Sequence, residues 1–577
     1  MAYIARVTLK GVPQIRLLSW SRFTRNIQRQ LTSFPPPYES LFNRCVEHQS
    51  RTAIVDQHGS HSYASILARS ALLKRKLDPF LRESSQQRIA FLCPNDSRYV
   101  TAQWASWLGE NVAVPLYREH PRPVLEYYVK DSQSSILVTT EEYVDHLEPI
   151  SRDLNLPVVV TDWESPVLED TLPVTKQILE DWKRLKKKNA QILYTSGTTG
   201  PPKGVVTTHH NIYVQSAGLV SSWEYRPSDV ILHTLPLHHT HGIINALVAP
   251  LYAGSTVIMS PRFDAAEVWN YLLEPPSGIP RPNIYMAVPT IYARLIEHYN
   301  NLHTGSGGTY SRSKEFIRAT CTQKIRLMIS GSAALPVPVL ERWKEITGHT
   351  LLERYGMTEI GMALGNPLHG KRKPGFVGKP FPGVKVSIVK PNAYSPKGYD
   401  LIASGDDFKT TVMQNHENEC GELLIKGPNV FKEYWNRPEA TEQAFTSDGW
   451  FRTGDTAQFV DGDYRILGRT SSDIIKSGGY KISALDVERH LLAHPNIRDC
   501  AVVGLPDLTW GEKVACAVAL HDPRRELTLQ SLREWGKREM DSAMVPAVLK
   551  VVDNIPRNAM GKVNKKDIAA QLSCNTR

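Results

Sequence analysis

The sequence predicts an α/β protein: a large, multi-layered N-terminal domain followed by a smaller α+β domain. Three observations lead there. The chain has 577 residues, more than one compact core usually holds. From residue 89 to 329, apolar runs of three to five residues alternate with helical patterns, the signature of layered α/β bodies. Beyond Gly468 comes a compact run of strands and helices, about 110 residues long, which suits a separate small domain.

In chain order, residues 1–38 carry six basic side chains, Arg6, Lys10, Arg16, Arg22, Arg25 and Arg29, and no acid. Those six account for most of the formal net charge of +10, so a nucleic-acid surface is not needed to explain it. Apolar residues and hydroxyls between the arginines give the leader the character of a mitochondrial transit peptide. That implies the mitochondrial matrix as destination and the import machinery as partner; an ordinary exposed arm is the alternative. The body, 39–469, reads as strands at 89–93, 112–116, 136–139, 158–160, 231–235, 256–259, 284–288 and 325–329. Helices at 99–108 and 123–131 separate the first of them. His303–Ser313 and Asn392–Glu419 read as loops, and Lys183–Lys188 as a solvated helix end. From 470 to 577 the expectation is a helix over 484–495, strands at 499–503 and 514–520, a helix over 529–537 and a strand at 549–552. No apolar run approaches the ~18–20 residues of a membrane helix. Seven scattered cysteines, with no Cys-x-x-Cys, argue against a disulfide framework or a zinc ribbon.

The densest chemical signal is Tyr194-Thr195-Ser196-Gly197-Thr198-Thr199-Gly200-Pro201-Pro202-Lys203-Gly204, directly after a strand. Glycines let the backbone turn its N–H groups toward an anion; the hydroxyls add donors and Lys203 adds charge. This is a phosphate cradle, although the spacing is not that of a Walker loop.

The segment resembles the signature loop of the adenylate-forming superfamily, which includes the acyl-CoA synthetases, and further motifs follow in the superfamily's order. Glu353-Arg-Tyr-Gly-Met-Thr-Glu359 resembles the segment whose aromatic flanks adenine (Tyr355), whose Thr meets phosphate (Thr358) and whose Glu holds Mg²⁺ (Glu359). Trp450–Asp455 and Gly468-Arg469 resemble the segments whose Asp455 and Arg469 reach the ribose. Pro556–Lys562 resembles the loop that carries the catalytic lysine, Lys562. The resemblance implies three small-molecule substrates, ATP, a carboxylic acid and coenzyme A. It also implies a mobile small domain pivoting at Ser471 or Ser472, with Gly478, Gly479, Tyr480 and Lys481 lining the coenzyme A tunnel.

The implied chemistry suits these residue types. A carboxylate attacks the α-phosphorus of ATP, so two anions must approach; cations and backbone amides must cancel their repulsion. No strong base is required, because the acid is already ionised at neutral pH. For the acid, the resemblance makes His239, Arg294, Ser332 and Arg354 the candidate pocket residues. An arginine in an apolar fatty-acid pocket would be costly, whereas a second substrate carboxylate would welcome it. This set resembles the malonyl-CoA synthetases, in which an Arg and a Ser hold the distal carboxylate. Alternatives stay open: Arg294 as a surface residue, Arg354 as a phosphate contact, and methylmalonate or a short monocarboxylate as the acid.

Overall fold

The computed structural model describes residues 39–81, 86–161, 185–195, 201–304, 312–478, 480–557 and 562–573. The leader, Ser196–Gly200, Gly479 and most of the 303–313 segment lie outside the described residues. Among the described residues the chain forms four sheets. Two large ones carry the body. The first has nine strands, with a parallel centre running from Leu352–Met357 through Leu327–Ser330, Ile284–Ala287, Val230–His233 and Thr256–Met259 to Thr52–Asp56. The second has seven, with Asn189–Thr195, Val112–Pro115, Arg88–Leu92, Ile136–Thr139 and Val158–Val160 in parallel.

Alternation along these strands explains the layers, since successive side chains point to opposite faces. Ile89 and Phe91 enter the core shared by both sheets, while Ala90 and Leu92 enter a separate outer core. Ile54 and Val55 divide in the same way between the shared core and the outer core of the first sheet. Each sheet is therefore covered on both faces, as parallel sheets require. Between the sheets lies the helix Ser97–Leu108, buried at every residue, together with His209–Trp223. The segment His241–Val248 also lies there and is a fully buried π-helix, a form that recurs at functional sites. Gly242 is required in it: a Cβ there would stand 2.3 Å from the Pro236 carbonyl oxygen.

A six-stranded antiparallel sheet follows, ending in Phe451–Val460 and Asp463–Arg469. It corrects one expectation, because the polar stretch 392–419 contains the strands Tyr399–Gly405 and Thr410–Val412. Thr410–Val412 is the edge strand and Tyr399–Gly405 the next one in, and exposed polar positions hide their apolar period. The turn Thr470–Asp473 leads into the small sheet, where Gly511–Leu520 splits its side chains between two cores, Val514, Cys516 and Val518 on one face and Ala515 and Ala517 on the other. The expected helix 484–495 ends at Leu491, and the other small-domain elements fall within a few residues of expectation. Among the described residues no helix is long and apolar enough to cross a membrane.

Candidate active site

Asn189–Thr195 and Lys203–Thr208 form an antiparallel hairpin in which Thr195 pairs with Lys203. The open end of this hairpin lies at the C-terminal end of Asn189–Thr195, a strand parallel to Val112–Pro115. Tyr127 fastens its far side by donating from its hydroxyl to the Pro202 carbonyl at 2.7 Å. Lys203 Nζ lies 5.0 Å from the centre of the Tyr434 ring, a cation–π contact. The Tyr434 hydroxyl in turn donates to Glu359 Oε1 at 2.9 Å. Burial pushes the Glu359 carboxyl up, against hydrogen bonds and the nearby Arg469 and Lys562.

The next cluster is built on the cross-strand pair Asp455 and Arg469. Arg469 Nε stands 3.1 Å from Asp455 Oδ1, and its Nη1 donates to the Thr453 carbonyl at 2.5 Å. The Tyr355 hydroxyl donates to the other Asp455 oxygen. Burial raises the Asp455 carboxyl; Arg469 is the largest influence opposing it. Lys562 faces this group. It keeps solvent access along the cleft, yet loss of hydration lowers its ammonium pKa; Arg469 and Arg354 add to the lowering, while Asp455 and Glu359 oppose it. Lys562 is therefore exposed on its loop while lying within reach of the charges of Arg469, Asp455, Glu359 and Arg354.

A different arrangement holds around Arg354. Arg354 is only 3% exposed. Its guanidinium lies flat on Gly331, where a Cβ would come within 2.5 Å of Cζ and Nε. Neither Nε nor Nη2 finds a hydrogen-bond partner among the described residues. Burial alone lowers its pKa, to about 9. Beside it, His241 Nδ1 and Ser332 Oγ are 3.1 Å apart, and Ser332 is held at a left-handed φ of 71°. His239 is kept neutral by burial, with Lys562 and His120 reinforcing it, and its pKa falls to about 3. His241 is held well below its ordinary value by burial first and Arg354 second. The two imidazoles are thus neutral walls, and the positive charge belongs to Arg354 and Lys562.

The cleft brings together Lys203, Tyr355, Glu359, Asp455, Arg469, Lys562, Arg354, His239 and Ser332 through these contacts and their mutual electrostatic influence. Thr195 sits at the hairpin mouth and Thr358 is half-buried beside Glu359. Arg294 is exposed on the helix Pro289–Thr304, with no ion-pair partner among the described residues. Gly478 (φ 56°), Tyr480 and Lys481 stand at a hairpin of the small domain, where Tyr480 and Lys481 are exposed, outside this cluster. Ser196, Gly197, Thr198, Thr199, Gly200 and Gly479 lie outside the described residues. Sequence reasoning missed Tyr434, a lone aromatic with no motif to flag it. It also passed over His241 as a pocket residue, although its spacing of two from His239 was visible.

This geometry agrees with comparisons to known proteins. Residues 41–435 match the AMP-binding enzyme family, and residues 486–562 match the AMP-binding enzyme C-terminal domain. The chain is 50% identical to a mitochondrial malonate–CoA ligase of Xenopus laevis, over 92% of this chain and 91% of that one. It is likewise 50% identical to the human mitochondrial malonate–CoA ligase, over 91% of each. Among solved structures it resembles ATP-bound MatB from Rhodopseudomonas palustris, with a TM-score of 0.77, 29% identity, and 93% and 99% of the two chains covered. It also resembles a malonyl-CoA ligase ternary product complex with methylmalonyl-CoA and AMP bound, with a TM-score of 0.58, 31% identity, and 91% and 99% covered. Fold, ordered motifs and relatives agree: the chain belongs to the AMP-binding, adenylate-forming enzyme family and is an AMP-forming acid–CoA ligase.

Proposed function

We propose that this chain is a mitochondrial malonate–CoA ligase, joining malonate to coenzyme A through a malonyl-adenylate with release of pyrophosphate and AMP. The carrying observation is Arg354: a buried guanidinium with two nitrogens lacking an acceptor. A buried charge without a partner is costly, and a ligand carboxylate is the natural acceptor. In this reading Arg354, Ser332 and His241 take the distal carboxylate. His239 walls the pocket, and Arg294 is a further cation at its outer side. The proximal carboxylate is left facing Lys562 and the nucleotide site. The names of the relatives support both the acid and the compartment.

The side chains divide the work. Lys203 and Lys562 bring positive charge to the phosphates, where repulsion between the two anions must be offset. Tyr355 and the Asp455–Arg469 pair hold the nucleoside, exchanging their mutual contacts for contacts to the ribose. Glu359, a buried carboxylate aligned by Tyr434, fits a Mg²⁺ ion shared with the substrate phosphates, and that ion would supply further charge neutralisation. Residues 39–469 then form the ATP- and acid-binding domain and 470–577 the lid, pivoting in the turn Thr470–Asp473. The better match to the ATP-bound relative than to the product complex, at similar identity, fits a chain drawn with Lys562 in the cleft. Coenzyme A would meet Gly478–Lys481 in the other orientation. The basic leader would address the import machinery; its deletion should abolish import and spare activity.

The test is pyrophosphate release over short mono- and diacids, with and without coenzyme A. Malonate should be the best acid, methylmalonate weaker but used, since one methyl is worth only about 1–3 kcal/mol of discrimination. Preference for butyrate over malonate would refute the malonate assignment.

A further inference from the structure

The small domain touches the acid site by a route apart from Lys562. Its helix Ala484–Leu491 packs on the strand Asp463–Arg469 of the large domain, where Arg465 Nη2 meets Asp486 Oδ1 at 2.6 Å. Arg489, one turn further on, is held by the same Asp486 oxygen at 2.6 Å. Its guanidinium lies over Gly375 of the large domain, where a Cβ would sit 3.4 Å from Cζ. Gly375 has a φ of 79°, so a side chain there would be strained, and its Cβ would be in van der Waals contact with the guanidinium. Arg489 Nε is buried with no hydrogen-bond partner.

Beneath Gly375 is Glu353, 4% exposed. Glu353 Oε1 accepts the Leu335 N–H at 3.1 Å, while Oε2 is buried without a hydrogen-bond partner. Arg489 and the Gly375 N–H are both close enough to favour the ionised carboxylate. The Leu335 amide belongs to the same turn as Ser332, which has a left-handed φ and lies against His241, so the carboxylate is bonded to the segment that carries Ser332. Glu353 is also the strand neighbour of Arg354. Glu353 thus lies between the turn at Leu335, which it bonds, and Gly375, on which the Arg489 guanidinium of the small domain is seated.

We infer that Arg489 is a positioning residue: seated on Gly375, it couples the orientation of the small domain, through Glu353 and the Leu335 amide, to the turn that sets Ser332 in the acid pocket. The small domain that delivers Lys562 thereby also tightens the acid site. When the domain leaves this orientation, Arg489 leaves with it and the turn loses its support. The inference rests on the malonate reading for its readout, and activity of the wild-type chain with malonate checks that reading separately.

The test compares Arg489→Met, Arg489→Lys, Glu353→Gln and the Arg489→Met/Glu353→Gln double variant in the full chain. Malonate-dependent pyrophosphate release follows the first half-reaction, and AMP release from prepared malonyl-adenylate with coenzyme A follows the second. Arg489→Met should raise the malonate KM by about 3- to 30-fold, leave the ATP KM within about twofold, and spare the second half-reaction. Arg489→Lys should recover part of the loss, and the double variant should be no worse than the worse single one. A parallel rise in the ATP KM, equal loss in both half-reactions, or simple additivity would each overturn the coupling.

Discussion

Arg469 and Arg354 are two cations of one cleft, and they are treated in opposite ways. Arg469 has protein partners for two of its nitrogens: the Asp455 carboxylate and the Thr453 carbonyl, with Tyr355 sharing the carboxylate. Arg354 is more deeply buried, and two of its nitrogens have no partner. Around Asp455 the charges are paired within the protein, and in the proposed function ATP takes over those contacts. Around Arg354 the charge lacks a protein partner among the described residues, a role that the acid fills in the proposed function. A group optimised for stability resembles the first; a group kept for a charged ligand resembles the second.

The largest expected effect lies between the two ends. Lys562→Ala should slow adenylate formation by about 100- to 1000-fold, the usual loss for one donor of developing charge. Thioester formation from prepared malonyl-adenylate should change little; equal loss in both would contradict the role of Lys562. Next, Arg354→Met should cut kcat/KM for malonate by roughly 30- to 1000-fold, equivalent to about 2–4 kcal/mol, while the ATP KM stays nearly constant. Its melting temperature should hold or rise, because the removed charge had no protein partner to strand. Arg469→Met should do the reverse, raising the ATP KM and lowering stability by about 1–3 kcal/mol through the stranded Asp455. Calorimetry on the two variants would sharpen the contrast, or erase it if both melt alike.

The smallest effect concerns pH. Burial raises the Glu353 carboxyl to about 7, with the Leu335 N–H, Arg489 and the Gly375 N–H pulling against it. Its ordinary value is 4.5, so between those values the folded chain binds more protons than the unfolded one. The stability it contributes is complete below the unfolded value and is lost as pH rises through about 7. Glu353→Gln removes that dependence and keeps an acceptor for Leu335. Its melting temperature relative to wild type should therefore climb from pH 5 to pH 8, by about 1–3 °C. A constant difference across that range would show that Glu353 does not titrate there.

Much of this site was legible because its parts are local. Lys203 follows a glycine- and hydroxyl-rich turn, and Glu359, Asp455 and Lys562 each lie in a short ordered motif. The strands of the large sheets were legible because burial on both faces makes them uninterrupted apolar runs, such as Ile284–Ala287. What was not legible depended on distant approach. Tyr434 reaches Glu359 across 75 residues, and no periodicity marks it. Residues Gly242–Val248 read as ordinary apolar sequence, and only packing against Pro236 reveals a π-helix. Arg354 was visible as a candidate, but its lack of a partner is a property of the folded cleft. Arg294 drew attention through its sequence neighbourhood, yet it lies exposed.

The central claim is that Arg354 is reserved for the second carboxylate of the substrate. It is tested most directly by the ratio of kcat/KM for malonate to that for butyrate, in the wild-type chain and in Arg354→Met. The account predicts a malonate preference in the wild type that collapses by about 30-fold or more in the variant, through lost malonate activity with butyrate activity held or improved. A ratio that survives the substitution would contradict it.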